Sequence, residues 1–417
     1  MAQVGPAQLP EMDAVVLART LTVEQLEDDP YPLYARWREE APVVHIPVLG
    51  LWFVTRWADA EHVATTPDLF EAAVKPSPLD RTFGGTNILT VDGTTHKRLR
   101  NMLLPSFRPP VVERDLIAVI EPLVREQLDR LGCGDEHAEL MEDYLEPISV
   151  RSLAAVLGLG EIEPDTLRRW FAQLAEGATN FEGNPAKQAV ADAVADEIDE
   201  RLKPIFARML REPDDSVISN MLHAAEGTLA QRTQLVMPTL KVILLGGMQE
   251  PGHGGGSTLV GLLSHQGQWD ALVQDPAGRV RAAVDEGLRW ISPIGAQERH
   301  CPAGATIAGT EIPPGANVAA IIASANRDRA VWGEDADAYD LFRPARRSAA
   351  FGFGKHFCVG HHFSKVQLWI ALRRLAERFP RLRLDESCPP RFTGWEFRAP
   401  RNLDVRLDGR TPRRPGR

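Results

Sequence analysis

One ten-residue stretch, Phe351–Gly352–Phe353–Gly354–Lys355–His356–Phe357–Cys358–Val359–Gly360, constrains this chain more than any other. Two glycines before the cysteine and one after it let the backbone turn sharply and approach a flat ligand closely. Apolar spacing beyond it predicts a long helix from about Val359 to Phe379, so Cys358 falls just ahead of a helix N-terminus. Free N–H groups at such an end stabilise a negative thiolate. An isolated cysteine is most often a small buried apolar side chain. Cys133, Cys301, Cys358 and Cys388 lie far apart with no CxxC spacing, which argues against a zinc site and a disulfide framework. Of the four, only Cys358 has a setting that asks for a special explanation.

The rest of the chain reads as mainly α with small β-sheets. Val43 to Ile46 and Trp52 to Thr55 are short β-rich runs joined through Pro47–Val48–Leu49–Gly50, the pattern of a hairpin. Apolar residues recur at helical spacing in Asp115 to Leu131, Leu140 to Leu157, Asp165 to Ala175 and Ala186 to Arg211. Pro147 and Pro204 fall where they would kink or split two of these. Turn chemistry from Glu311 to Val318 predicts a second small sheet. Length alone would suggest two or three domains. No linker, repeat or composition shift divides residues 1–417, however, so a single domain is expected, with a loose lead-in at Met1 to Glu11 and a disordered Arg/Pro-rich tail at Arg410 to Arg417. A net charge of −10 with no basic stripe interleaved with aromatics argues against nucleic acid. The absence of a long apolar run argues against a membrane span, so a cytoplasmic protein is expected.

The complete pattern FGxGxHxCxG resembles the cysteine loop of the cytochrome P-450 family, the haem-thiolate monooxygenases. The resemblance implies the cytochrome P-450 fold, Cys358 as the axial ligand of iron, and heme b (iron protoporphyrin IX) as cofactor. A thiolate there pushes electron density onto the iron and favours O–O cleavage. Glu286 and Arg289 resemble the family's ExxR pair, and Arg343, in Leu341–Phe342–Arg343–Pro344, resembles its third partner. Taken alone, a Glu/Arg pair at this spacing is usually a solvated surface bridge; the resemblance implies a buried structural triad that holds the loop. His96 and Arg100 stand one helical turn apart and match a propionate-binding pair, as do Arg299 and His356. Lys97, Arg98, Lys355 and Lys365 flank the motifs of the cysteine side, where a flavin/iron–sulfur reductase or a ferredoxin system would deliver electrons for O₂ reduction; ordinary solubilising charge explains them equally well.

On the oxygen side the sequence departs from the family. The segment Val236 to Leu263 resembles the helix that crosses the distal haem face, where an acid followed by threonine usually moves protons. Here Gln249 stands for the acid and Glu250 for the alcohol. Pro251 has no N–H to give the Gly247 carbonyl, and Gly252, Gly254, Gly255 and Gly256 are expected to weaken the helix further. On a regular helix Val242, Leu245, Gly246, Gln249 and Glu250 share one face. If that face meets the iron, Glu250 can carry protons directly and Gln249 assists it. Hydrogen peroxide could then replace O₂ and reductase.

The run from Gly247 to His253 narrows the resemblance to P-450 enzymes that O-demethylate small methoxyphenols of the guaiacol and syringol type, from lignin. It implies an apolar pocket for a small aromatic substrate, lined by Phe83, Leu89, Val242, Leu245, Gly246, Ile294 and Phe397. Each could singly be ordinary core. Ala172 aligns with a phenylalanine that lies over the ring in the guaiacol enzyme, which would leave room for a second methoxy group; Phe171 filling that place is the alternative. Hydroxylation of another small hydrophobe is a second enzyme reading, and a non-catalytic haem-thiolate sensor is a third.

Overall fold

Val43–Ile46 pairs antiparallel with Leu51–Val54, Val43 opposite Val54 and Ile46 opposite Leu51, so the expected hairpin forms about Pro47–Gly50 with its second strand one residue earlier than expected. This computed structural model describes residues 12–133 and 136–407; the lead-in at Met1 to Glu11 and the tail at Arg410 to Arg417 lie outside the described residues. The hairpin is half of a four-stranded sheet ordered Val43–Ile46, Leu51–Val54, Ala316–Ile321, Ala296–Cys301. The turn after Ile312 is where expected, but the strand that follows it does not build a separate sheet. Ala316–Ile321 runs parallel to Leu51–Val54 and antiparallel to Ala296–Cys301, while Thr310–Ile312 pairs with Ala305–Ile307. Val318 to Ile321 are all buried, and a strand apolar on both faces belongs at the centre of a sheet.

Helices make up most of the remainder. The segment expected from Asp115 to Leu131 lies inside Pro109–Cys133, which runs on through Pro122. Leu140 to Leu157 divides into a π-helical turn, Met141–Leu145, and an α-helix, Glu146–Leu157. Pro147 stands just past the junction of the two, inside a continuous helical path, so the segment divides beside it as expected. Pro204, by contrast, does not split Pro185–Arg211. The last long helix is His361–Arg378.

The distal segment breaks at Gln249 (φ −114°, ψ −26°), between Leu229–Met248 and Glu250–Leu263. Beyond the break the glycines do not unwind the helix. Glu250–Leu263 is buried along its whole length, and Gly254, Gly255 and Gly256 let Leu288, Leu145, Leu368 and Met141 close onto its backbone. Packing on every side outweighs the intrinsic cost of glycine. This buried helix and the packed face of His361–Arg378 belong to one core, and Tyr34, Trp37, Phe53 and Trp395 form another beneath the sheet. Among the described residues no helix is long and apolar enough to cross a membrane.

Candidate active site

The cysteine loop is shaped by its glycines and closed by its own backbone. Gly352 (φ +76°) and Gly354 (φ +65°) take the left-handed conformation that residues with a Cβ avoid. The Cys358 N–H donates to the Phe351 carbonyl at 2.9 Å. The helix begins at His361, and the sulfur meets the N–H groups of Gly360 and His361. Burial pushes the free thiol up, against these N–H groups and the nearby Arg100 guanidinium. Iron would remove that proton outright, because a coordinating thiol is bound as thiolate.

Glu286 is buried, with Arg289 donating to it through Nε and Nη2, both at 2.7 Å, and Arg343 Nε donating at 3.1 Å. Arg289 Nη1 also donates to the Asn326 carbonyl at 2.9 Å, and the Asn326 side-chain oxygen accepts from Ala349 N at 2.7 Å. The triad therefore grips the chain two residues before the loop starts. None of its three members lines the cavity that holds the Cys358 sulfur.

That cavity is bounded on one rim by His96, Arg100, Arg299 and His356. His96 Nε2 and Arg299 Nη2 are buried without a partner. His356 Nε2 donates to Asp92 Oδ1 at 3.1 Å, and its ring lies 4.2 Å from that of His96. Burial, then the Arg299 charge, pull His356 down to about 4, and burial lowers Arg299 itself. Asp92 answers His356 only, and the His96 and Arg299 nitrogens still lack an acceptor, which haem propionates would supply. Of the cations expected on the cysteine side, Lys97, Arg98 and Lys355 are exposed, but Lys365 is tied to Asp285 at 2.7 Å.

Opposite Cys358, Glu250 enters the cavity. It is buried, no side chain among the described residues donates to either oxygen, and burial pushes it up to about 8 against the backbone N–H groups of Gln249 and Glu250. Gln249 does not share this face. The break rotates it outward, where Nε2 donates to Glu146 Oε2 at 3.0 Å and the side chain lines a second cavity with Arg168, Phe171 and His253.

Leu89, Val242, Leu245, Gly246, Ile294 and Phe397 line the cavity over Cys358. Phe83 does not; it is 1 % exposed and packs into the core at the end of its short helix. Ala172 does not either. It is exposed on its helix and lines the second cavity, while Phe171, one residue earlier, points inward with its ring 6.3 Å from Phe397 and 5.7 Å from His253. Phe171 does not line the cavity over Cys358 either: it lines the second cavity and reaches the first only through its contact with Phe397, so neither residue fills the place expected over the ring. Phe181, Glu298 and Glu396 are among the lining residues that the sequence reading did not assign. Phe181 follows a helix end and carries no periodic signal. Glu396 sits in Gly394–Trp395–Glu396–Phe397–Arg398, and the Gly394 turn (φ +102°) together with the Ile294–Phe397 bridge fixes that segment against the cavity.

The family profile for cytochrome P-450 matches residues 279–402, which span the triad, the cysteine loop and the Phe397 segment. Cytochrome P-450 107B1 of Saccharopolyspora erythraea is 30% identical over 406 residues, covering 93% of this chain and 95% of that protein. The chain belongs to the cytochrome P-450 family. A steroid C26-monooxygenase of Mycolicibacterium smegmatis is 28% identical over 85% of this P-450 and 86% of its own length. A structure of a mutant P-450 EryK bound to erythromycin B superposes with a TM-score of 0.79 at 26% identity, covering 93% of this chain and 97% of that one. The narrower likeness to methoxyphenol demethylases draws nothing from these relatives.

P-450 proteins bind heme b, and the residues here fit it: a buried thiol on one side, orphaned donors at the rim, and an apolar distal wall. When bound, the haem supplies the oxygen-activating chemistry of a monooxygenase, using O₂ and electrons from a redox partner. Cys358 would ligate the iron. His96, Arg100, Arg299 and His356 would hold the propionates, and Glu250 holds a proton on the distal side.

Proposed function

We propose that this P-450 monooxygenase is cytoplasmic and O-demethylates small methoxylated phenols of the syringol or guaiacol type. The observation that carries the reading is the distal wall. Leu89, Val242, Leu245, Ile294 and Phe397 offer apolar surface to a flat ring, backed by the Phe171 ring against Phe397. Gly246 leaves open space where a Cβ would meet nothing within 4 Å. Hydroxylation of the methyl carbon consumes O₂, two electrons and two protons, and yields water and a hemiacetal. The hemiacetal then collapses to formaldehyde and the free phenol.

Glu250 is the proton donor in this reading. Burial keeps it largely protonated at neutral pH, and a proton-bearing carboxyl beside the reacting oxygen acts as a general acid. Its ionised form could instead deprotonate hydrogen peroxide, so peroxide-driven turnover belongs to the same proposal. Electrons would come from a flavin/iron–sulfur reductase or a ferredoxin system.

A second reading is hydroxylation of a bulkier substrate, favoured by relatives that include a steroid monooxygenase and a protein bound to erythromycin B. Formaldehyde release separates the two. Turnover of guaiacol or syringol with reductase should give one formaldehyde per methoxy group cleaved; a steroid or macrolide hydroxylase gives hydroxylated product and none.

A further inference from the structure

Proton delivery leaves two carboxyl groups in the wall of the same cavity without a use. Glu298 lies on the strand Ala296–Cys301, and Glu396 immediately precedes Phe397. The two carboxyls lie close enough for each to feel the other. Glu298 Oε1 and Glu396 Oε2 remain buried with no partner. Buried acceptors are nearly always paired, so two unpartnered carboxyl oxygens on residues of one cavity wall mark a place where something else completes them. Close by, Tyr34 is fully buried, its hydroxyl also lacks a partner, and its phenol feels the Glu396 charge.

Among the described residues no side-chain cation or hydroxyl donates to the pair; the Glu298 N–H alone reaches its own carboxyl. The adjacent Arg299 turns one nitrogen to the Glu298 carbonyl at 2.6 Å and leaves the other unpartnered. Val74, Phe181 and Phe397 supply apolar surface in the same cavity. Burial raises both carboxyls, which disfavours a second negative charge and suits a neutral donor better than an ammonium group.

We propose that Glu298 and Glu396 form a hydrogen-bond-accepting subsite of the substrate cavity, which takes the hydroxyl of a phenol or alcohol and thereby orients the rest of the molecule over the haem. The proposal rests on reading this cavity as the substrate site, but not on methoxyphenols being the substrate. A ligand without the hydroxyl would leave the acceptors bare, and sites built this way reject such analogues far more strongly than apolar pockets reject a change of size.

The test uses the holoenzyme and the spectral shift of its haem on binding. Imidazoles ligate haem iron whatever the natural substrate, so 4-phenylimidazole is compared with its ortho-, meta- and para-hydroxyphenyl counterparts; guaiacol and anisole form a second pair. In the parent, at least one hydroxylated ligand should bind roughly tenfold or more tighter than its deoxy partner. Glu298→Leu combined with Glu396→Leu should abolish that preference, and Glu298→Gln alone should reduce it. Glu396→Gln, whose amide can still donate to Glu298, should retain most of it. If the double variant does not fold, the Glu298→Gln ratio decides. No hydroxyl preference in the parent, or the parent ratio in Glu298→Gln, would overturn the subsite. Formaldehyde release from methoxyphenols reads the proposed reaction separately, so either idea can fail alone.

Discussion

Gln249 Nε2 donates to Glu146 Oε2 at 3.0 Å, and that bond turns Gln249 away from the cavity that Glu250 enters. Two neighbouring residues on one helical segment thus serve different spaces. Gln249 joins a polar chain with Glu146 and Arg168, which donates to the same Glu146 oxygen at 2.5 Å. Glu250 is left as the ionisable group facing Cys358 across the cavity.

Glu250 should govern peroxide use and its pH dependence. Peroxide needs the carboxylate, so peroxide-driven turnover should rise as pH rises through about 8 and be lost in Glu250→Ala while substrate binding persists. Equal peroxide rates in parent and variant would remove Glu250 from the chemistry.

The same group makes a stability prediction. Its folded value, about 8, lies above the ordinary 4.5, so its contribution is complete below about 4.5 and is lost as pH rises through 8. Glu250→Gln stays neutral throughout. Thermal melts should show its Tm gaining on the parent's by several degrees between pH 5 and pH 9; a constant difference would mean that the carboxyl is not raised.

Replacing Arg289 by Ala would take two of the donors from the buried Glu286, leaving it Arg343 and the Asp340 N–H, and would release the Asn326 carbonyl. Breaking a buried pair by removing one partner costs about 3–5 kcal/mol. The variant should purify with little bound haem and a lowered Tm. Normal haem content would show that the triad does not hold the loop.

Ala172→Phe should leave guaiacol and syringol affinities within about twofold of the parent, because Ala172 faces the outer cavity. Phe171→Ala should instead open space behind Phe397 and favour the bulkier ring, by a clear but limited margin of about 1–3 kcal/mol. Titration of both ligands into both variants checks this, and a large effect at Ala172 would contradict the geometry.

Local features were legible in the sequence. The cysteine loop, the hairpin and the Glu286–Arg289 spacing each need only a few consecutive residues to be stated. Gln249 was misread because its direction depends on where the helix breaks and on a carboxylate 103 residues earlier. Phe83 and Ala172 went astray for a related reason: both were carried over by resemblance to the methoxyphenol demethylases, and an alignment does not say which of two adjacent spaces a side chain meets. Glu298 and Glu396 stand in separate segments, and only folding brings their carboxyls together. The glycines after Pro251 read as helix breakers, when their effect is to admit Leu288 and Leu145 to the backbone.

Cys358 carries the assignment of the whole site. The most direct measurement is the ferrous carbon monoxide difference spectrum of the parent and of Cys358→Ser and Cys358→His. The parent should show the red-shifted band of a thiolate-ligated haem, and both variants should lose it. Retention of that band in either variant would contradict Cys358 as the ligand, and with it the account of this site.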